Sequence, residues 1–341
     1  GGMLRYGIPS YRLPRDIIEQ EIDFILSMGV EAKTGVRVGR DISMEDLQEK
    51  FDAVFIGVGA HMSSPIRIPG DDLEGVKGGA EFLRQVELGV EPDAGEKVAV
   101  IGGGNVAIDV ARTCRRMGAD VTVLYRRERK DMPADEEEIE DSIEEGIVLK
   151  ELVAPKSITQ SNGKLALTLD ECELKEYDRS GRRSPVPIDG CVLSEEYNTI
   201  FSAIGQKPDL SFTAALDVQW GTVKTDRYTL GTNLPGVFAG GDAVLGPAYV
   251  VDALAHGKRA ARAIDQYLSR KRGDKPCAET PQKINVTMKV PEETIKQARA
   301  EMPKLGVDER IKDFREVELG FDEETAKKEC ERCLRCDVKL D

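Results

Sequence analysis

The run VAVIGGGNVAIDVA, residues 98–111, constrains this 341-residue chain more than any other stretch. A short apolar strand, Lys97 to Ile101, enters a glycine turn, and a helical pattern follows to about Met117. A further strand from Asp120 to Tyr125 completes a βαβ unit. Inside the turn, Gly102-x-Gly104-x-x-Ala107 has the spacing of a dinucleotide fingerprint, and it lies where that fingerprint must lie, between strand and helix. Gly102 allows the tight turn, Gly104 lets the backbone approach a diphosphate, and Ala107 permits close packing of helix on strand. The free N–H groups and dipole of the helix N-terminus favour the anion. A ligand-free glycine turn is the competing reading, disfavoured because strand, motif and helix agree.

After the second strand of such a unit an Asp or Glu marks binding of a bare ribose. Here Arg126 and Arg127 occupy that place, and a guanidinium suits a 2′-phosphate, so NADPH is expected over NADH. The alternative is that both arginines belong to the charged loop RRERKD. A second glycine pair, Gly57-Val58-Gly59, precedes Ser63-Ser64-Pro65 where a helix should start, and reads as a strand exit. In GVFAGGDA, Asp242 follows a strand and a Gly-Gly pair, which suits either a turn residue or a carboxylate that accepts a hydrogen bond from a ribityl chain.

The remainder is consistent with a globular α/β chain. With 40% apolar residues it can bury an ordinary core, and no apolar stretch approaches the roughly 20 residues of a membrane span. Net charge of −14 argues against nucleic-acid partners, and the acidic run Asp135 to Glu145 reads as a solvated helix face, with a partner-docking patch as the alternative. The seven cysteines form no disulfide-like framework, which points to a reducing cytoplasm. Neither His61 nor His256 has an evident acid partner, so each is expected to be packed or solvent-facing. No signal peptide is visible, and the Gly1-Gly2 start suggests a fragment. Helices are expected at about Arg15 to Met28, Tyr249 to Lys271, Glu292 to Ala300 and Glu323 to Cys333. Buried strands are expected at Asp52 to Val58, Thr199 to Ile204 and Gly236 to Ala239. Antiparallel strands between Gly146 and Glu176 would turn at Asn162-Gly163. Cys330-x-x-Cys333-x-x-Cys336 has the spacing of three [4Fe–4S] ligands, with a zinc site or reduced thiols as open alternatives. The other cysteines show no CxxC pair of the kind a disulfide reductase requires.

Five segments together carry a family resemblance: GGMLRYGIPSYRLP, IGGGNVAIDVAR, VLYRRERKDMPA, FSAIGQKPD and GVFAGGDAVLGPAYVVDALAHGKRAA. In this order, from Gly1 to about Leu268, they resemble the small (beta) subunit of NADPH-dependent glutamate synthase and related FAD-dependent pyridine nucleotide oxidoreductases. The resemblance implies two Rossmann-like, doubly wound three-layer domains, the NADPH domain (93–225) inserted in a truncated FAD domain (1–92 and 226–275), plus a mostly helical C-terminal extension (276–341). It implies that Gly2, Met3, Leu4, Gly7 and Ile8 line the flavin and that Val38 lies near the adenine. Gly241, Asp242, Gly246, Pro247 and Ala248 would hold the ribityl and isoalloxazine, while Asn105, Val106, Arg126, Arg127 and Gly205 would contact NADPH. Family members open with a first GxGxxG unit ahead of the GGML segment, and its absence here removes the main FAD cradle from the chain as given. The implied activity passes electrons from NADPH through FAD to an iron-sulfur domain or partner subunit. Hydride transfer between stacked rings needs no side-chain acid or base, so no catalytic residue is assigned.

Overall fold

The computed structural model describes residues 1–161, 163–178, 181–276 and 298–332. Its largest sheet is five-stranded and wholly parallel, in the order Val76–Gly78, Thr199–Ser202, Lys97–Ile101, Asp120–Leu124, Val148–Lys150. A run such as Val98–Ile101 needs cover on both faces. Val98, Val100, Val121 and Val123 face a helical layer that includes Phe82, Leu83, Val110, Ala111 and Cys114. Ala99, Ile101 and Leu124 face the other way, onto Leu165, Leu167, Leu169 and Tyr197 of a second sheet.

That second sheet is antiparallel and three-stranded: Val153–Ser161, Lys164–Tyr177 and Arg183–Tyr197. Its middle strand buries Leu165, Leu167 and Leu169 alternately, as a strand with one covered face should. Pairing of Ser161 with Lys164 supports the expected turn at Asn162-Gly163, with Gly163 at φ +76° and Asn162 outside the described residues. The strand Arg183–Tyr197 was not expected from sequence. The sheet layers therefore run helix, parallel sheet, antiparallel sheet, with the strand Val76–Gly78 and helix Gly79–Glu87 completing a unit otherwise built from residues beyond 93.

A second unit pairs Val54–Ile56 in parallel with Val237–Ala239 around Met44, Ile56, Leu216, Val223 and Val237. The expectation that Asp52 to Val58 is covered on both faces is corrected here, because Phe55 and Val58 are each 41% exposed. The helix Arg15–Ser27 likewise buries only Ile18 and leaves Phe24 and Met28 exposed. The long helix spans Val250–Arg272 and ends at Gly273 with φ +77°. Residues 298–300 are not helical, and 292–297 lie outside the described residues. The described tail holds the short helices Val307–Arg310 and Glu323–Glu331. Among the described residues, no helix is long and apolar enough to cross a membrane.

The acidic run behaves differently from its sequence reading. Helix Glu136–Glu144 turns Glu138, Asp141 and the following Glu145 inward, where Arg112 and Arg116 reach Glu145 at 2.6 and 2.8 Å. From the tail, Arg310 lies 3.0 Å from Glu145 and 2.8 Å from Glu144, while Lys304 pairs with Asp141 at 3.1 Å. From the N-terminal segment, Arg12 pairs with Asp109 at 2.8 Å and Glu138 at 2.9 Å. The Tyr11 ring lies under Arg116, whose guanidinium carbon is 3.9 Å from the ring centroid, and the Tyr11 carbonyl accepts the Val317 N–H. Asp135, Glu136, Glu137, Glu140 and Glu144 keep the expected solvated face, while Glu138, Asp141 and Glu145 enter a junction of four chain segments. The periodicity was visible, but the matching cations lie far away in sequence.

Burial would raise the Glu145 carboxyl, yet hydrogen bonds from Arg112 and Arg116 hold it below its ordinary range. At Asp109 burial wins over the pull of Arg12 and pushes the carboxyl up to about 6. Arg310→Met should lower folding stability by about 3 kcal/mol, since it strands buried carboxylates, and urea denaturation would show it. Unchanged stability would mean that the tail is not docked as described. Because the folded pKa of Asp109 exceeds its unfolded value, its contribution favours folding most below about pH 4 and is lost as pH rises through about 6. Asp109→Asn should therefore gain on the wild type, by roughly 2 kcal/mol, between about pH 4 and 6 in denaturation midpoints. Parallel curves would contradict the assignment.

Candidate dinucleotide site

The glycine turn leaves the carboxyl edge of the central strand. Gly102 takes φ +148°, and a Cβ there would stand 2.3 Å from the Ala203 carbonyl oxygen. Ala107, fully buried, packs beneath it. Glycine is therefore required at 102 by the neighbouring strand before any ligand is considered. Gly104 differs: a Cβ there would meet nothing nearer than Pro133 Cγ at 3.8 Å. It caps helix Asn105–Arg116 without a side-chain hydrogen bond, which leaves the Asn105 and Val106 N–H groups available to an anion, while Ala107 N–H donates to the Gly104 carbonyl at 2.9 Å. This open backbone face fits a diphosphate.

The loop after the Asp120–Leu124 strand folds back over the turn. Ala134 N–H donates to the Gly103 carbonyl at 3.1 Å, Asp135 N–H donates to Asn105 Oδ1 at 3.0 Å, and Tyr125 Oη donates to the Asp131 carbonyl at 2.7 Å. Asn105 thus braces the loop, and Val106 beside it is partly exposed. Arg126 is exposed at the start of this loop, whereas Arg127 is buried against the antiparallel sheet. Gly205, exposed with φ +135°, follows the adjacent strand Thr199–Ser202, and its carbonyl accepts the Ser64 N–H at 2.9 Å. Gly102, Gly104, Asn105, Val106, Ala107, Arg126, Arg127 and Gly205 consequently stand at the carboxyl edge of three adjacent parallel strands, the usual place for a ligand in such sheets.

The residues expected near a flavin fall into separate groups. Met3 and Leu4 lie in helix Met3–Tyr6, with Gly2 before it and Gly7 and Ile8 after. Arg15 ties this segment down by donating to the Leu4 and Ile8 carbonyls while pairing with Glu87 at 2.6 Å. Val38, half-buried, occupies a turn in which Gly39 N–H donates to the Ile42 carbonyl. Gly241, Asp242, Gly246, Pro247 and Ala248 follow the strand Val237–Ala239, with Gly241 at φ +64° and Gly246 at φ +75°. Burial raises the Asp242 carboxyl. His256, which sequence reasoning left without a role, accepts the Gly241 N–H at its Nδ1 (3.1 Å) and props this loop. Burial lowers its pKa, in keeping with a neutral acceptor. No sequence signal marked that contact.

Cavities of about 240 and 180 Å³ lie at the Tyr11 junction and beside Ser63-Ser64, respectively. The candidate dinucleotide surface is a partly exposed edge whose residues line neither cavity, although Ser64 of the second donates to the Gly205 carbonyl. Cys330 is exposed; Cys333 and Cys336, like Cys277, lie outside the described residues. Among the described residues no cluster of metal-ligating side chains is present.

Residues 9–257 match the pyridine nucleotide-disulphide oxidoreductase family. The chain belongs to that family. It is 45% identical to the NADP(+)-dependent formate dehydrogenase subunit beta of Moorella thermoacetica, covering 98% of this chain and 49% of the relative. It is 33% identical to the glutamate synthase [NADPH] small chain of Azospirillum brasilense, over 80% of this chain and 60% of that one, which bears out the resemblance. The Mycobacterium tuberculosis protein FprA, solved in complex with NADPH, superposes with TM-score 0.66 at 18% identity, covering 82% of this chain and 78% of FprA, and shows the α/β fold. The chain spans about half the length of the curated relatives it matches first.

The two glycines of the turn should separate under mutation. Gly102→Ala should destabilise the fold by about 3 kcal/mol or more, because its Cβ meets backbone at a positive φ, whereas Gly104→Ala should stay within about 1 kcal/mol of wild type. Thermal or urea unfolding checks both, and equal effects would refute the packing described.

Proposed function

We propose that this chain is the NADPH-oxidising, FAD-binding part of an oxidoreductase that passes electrons from NADPH through flavin to iron-sulfur centres. The reading rests chiefly on one observation: an uncapped helix N-terminus, an open Gly104 backbone and an exposed arginine share the carboxyl edge of one parallel sheet. The names of the relatives support it, since both are NADP-linked and described as subunits or chains of larger enzymes. The first-turn N–H groups of helix Asn105–Arg116 would hold the diphosphate, and the segment Arg126-Arg127 at the strand's end would offer an exposed guanidinium, that of Arg126, to a 2′-phosphate. On the other unit, Gly241 to Ala248 and the Gly2 to Ile8 segment would receive the flavin, with His256 keeping the Gly241 loop in place. Bound FAD would supply a two-electron acceptor able to release electrons singly. No protein acid or base is assigned.

We assign residues 1–92 and 226–275 to flavin binding, 93–225 to NADPH binding together with the edge strand Val76–Gly78, and 276–341 to an extension whose Cys330, Cys333 and Cys336 would ligate a cluster completed elsewhere. The experiment is a spectral titration of the purified chain after reconstitution with FAD. Absorbance near 450 nm that bleaches on NADPH addition is expected. A colourless chain that still binds NADPH would replace the enzyme reading with that of a nucleotide-binding module. Gly104→Val should weaken NADPH at least about tenfold while preserving the fold, by closing the backbone to the diphosphate. Unaltered affinity would sink the site.

A further inference from the structure

The loop RRERK carries four cations, residues 126, 127, 129 and 130, and they are not equivalent. Arg127 is 4% exposed, its Nη2 bonded to the Asp178 carboxylate at 2.7 Å and its Nε to the Arg183 carbonyl at 2.8 Å. Its own carbonyl accepts the Leu152 N–H. Arg129 pairs with Glu136 and Glu140, on the helix that follows the loop, and Lys130 pairs with Glu128. Arg126 is exposed and forms no hydrogen bond or ion pair among the described residues. It follows Tyr125 at the strand edge where Gly102 N–H meets the Leu124 carbonyl at 3.1 Å.

A 2′-phosphate brought to Arg127 would meet the Asp178 carboxylate already there, and like charges a few ångströms apart repel. Displacing Asp178 would break a largely buried pair and free the end of the antiparallel sheet from the parallel one. At Arg126 neither penalty arises, and a charge-assisted bond forms with an uncommitted guanidinium. We propose that Arg126 alone reads the 2′-phosphate, and that Arg127 is a brace that Asp178 and Arg183 hold away from the nucleotide, fastening the antiparallel sheet to the dinucleotide unit. The sequence pair Arg126-Arg127 thus divides into one specificity residue and one structural residue. This inference rests on the NADPH reading above and refines it.

The test is calorimetric titration of the full chain with 2′,5′-ADP and with 5′-ADP, which differ only in the phosphate at issue. Wild type is expected to prefer 2′,5′-ADP. Arg126→Ala should lose about tenfold or more on 2′,5′-ADP and stay within about twofold on 5′-ADP, with Arg126→Lys recovering part of the loss. Arg127→Met should keep the ratio of the two affinities within about threefold of wild type while amide exchange rises at Leu174 to Tyr177. Should Arg127→Met fail to fold, Asp178→Asn removes the negative charge facing Arg127 while keeping an Oδ1 acceptor for the Arg182 N–H, and the ratio should again hold. A collapse of the ratio in Arg127→Met with Arg126→Ala unaffected, or a tenfold change in either direction in Asp178→Asn, overturns the division of labour while the NADPH reading stands. Wild type binding both nucleotides equally, or neither, overturns the NADPH reading and this inference with it.

Discussion

Three guanidinium groups converge on Glu145, whose side chain has no exposed surface. Two come from the helix that begins at the glycine turn, and the third, Arg310, comes from the tail. A carboxylate buried this far from water must be matched by nearby positive charge, or it costs several kcal/mol. The requirement binds three segments distant in sequence into one junction. Tyr11 adds an aromatic face under Arg112 and Arg116, and Arg12 adds its pair with Asp109. The helix whose N-terminus is offered to a dinucleotide is therefore fixed at its far end by charge and along its length by the packing of Ala107, Val110 and Ala111.

With that helix fixed, the turn before it has little freedom. Gly102 is pressed against Ala203 just beyond the neighbouring strand, and Gly103 against the Tyr125 ring, where a Cβ would stand 2.5 Å from Cε2. Only Gly104 leaves room for a Cβ, which would meet Pro133 Cγ at 3.8 Å. Three consecutive glycines thus serve two different ends, with the first two accommodating the protein itself and the third leaving a backbone face for a ligand. The loop bearing Arg126 is held to this turn by hydrogen bonds from Ala134 and Asp135. The candidate phosphate-binding and specificity groups are thereby tied to one edge of the sheet.

How much of this was legible depended on whether the cause was local. The βαβ unit, the buried strand Thr199–Ser202, the long helix ending at Gly273 and the turn at Gly163 follow from periodicity and glycine placement, and all were readable. The strand Arg183–Tyr197 was not, because Pro185, Pro187 and Gly190 look like breakers. It lies at the sheet's edge, where missing N–H groups are tolerated. The acidic helix was legible only on its solvated face, since Glu138, Asp141 and Glu145 look like the rest of the run until the arginines that face them are brought in by the fold. His256 carried no signal at all, as its partner is a backbone N–H that only the loop at Gly241 presents.

From its sequence alone the chain was bound to form a strand, a tight glycine turn and a helix around residues 97–117, because steric freedom at glycine and the spacing of apolar side chains act over a few neighbouring residues. The same local chemistry marked Arg126-Arg127 as a cationic pair at the strand's end. What tertiary structure decided was which charges are spent. Asp178 and Arg183 claim Arg127, Glu145 claims Arg310, and Arg126 is left facing solvent, because electrostatic partners are set by distance in space, which the sequence does not carry.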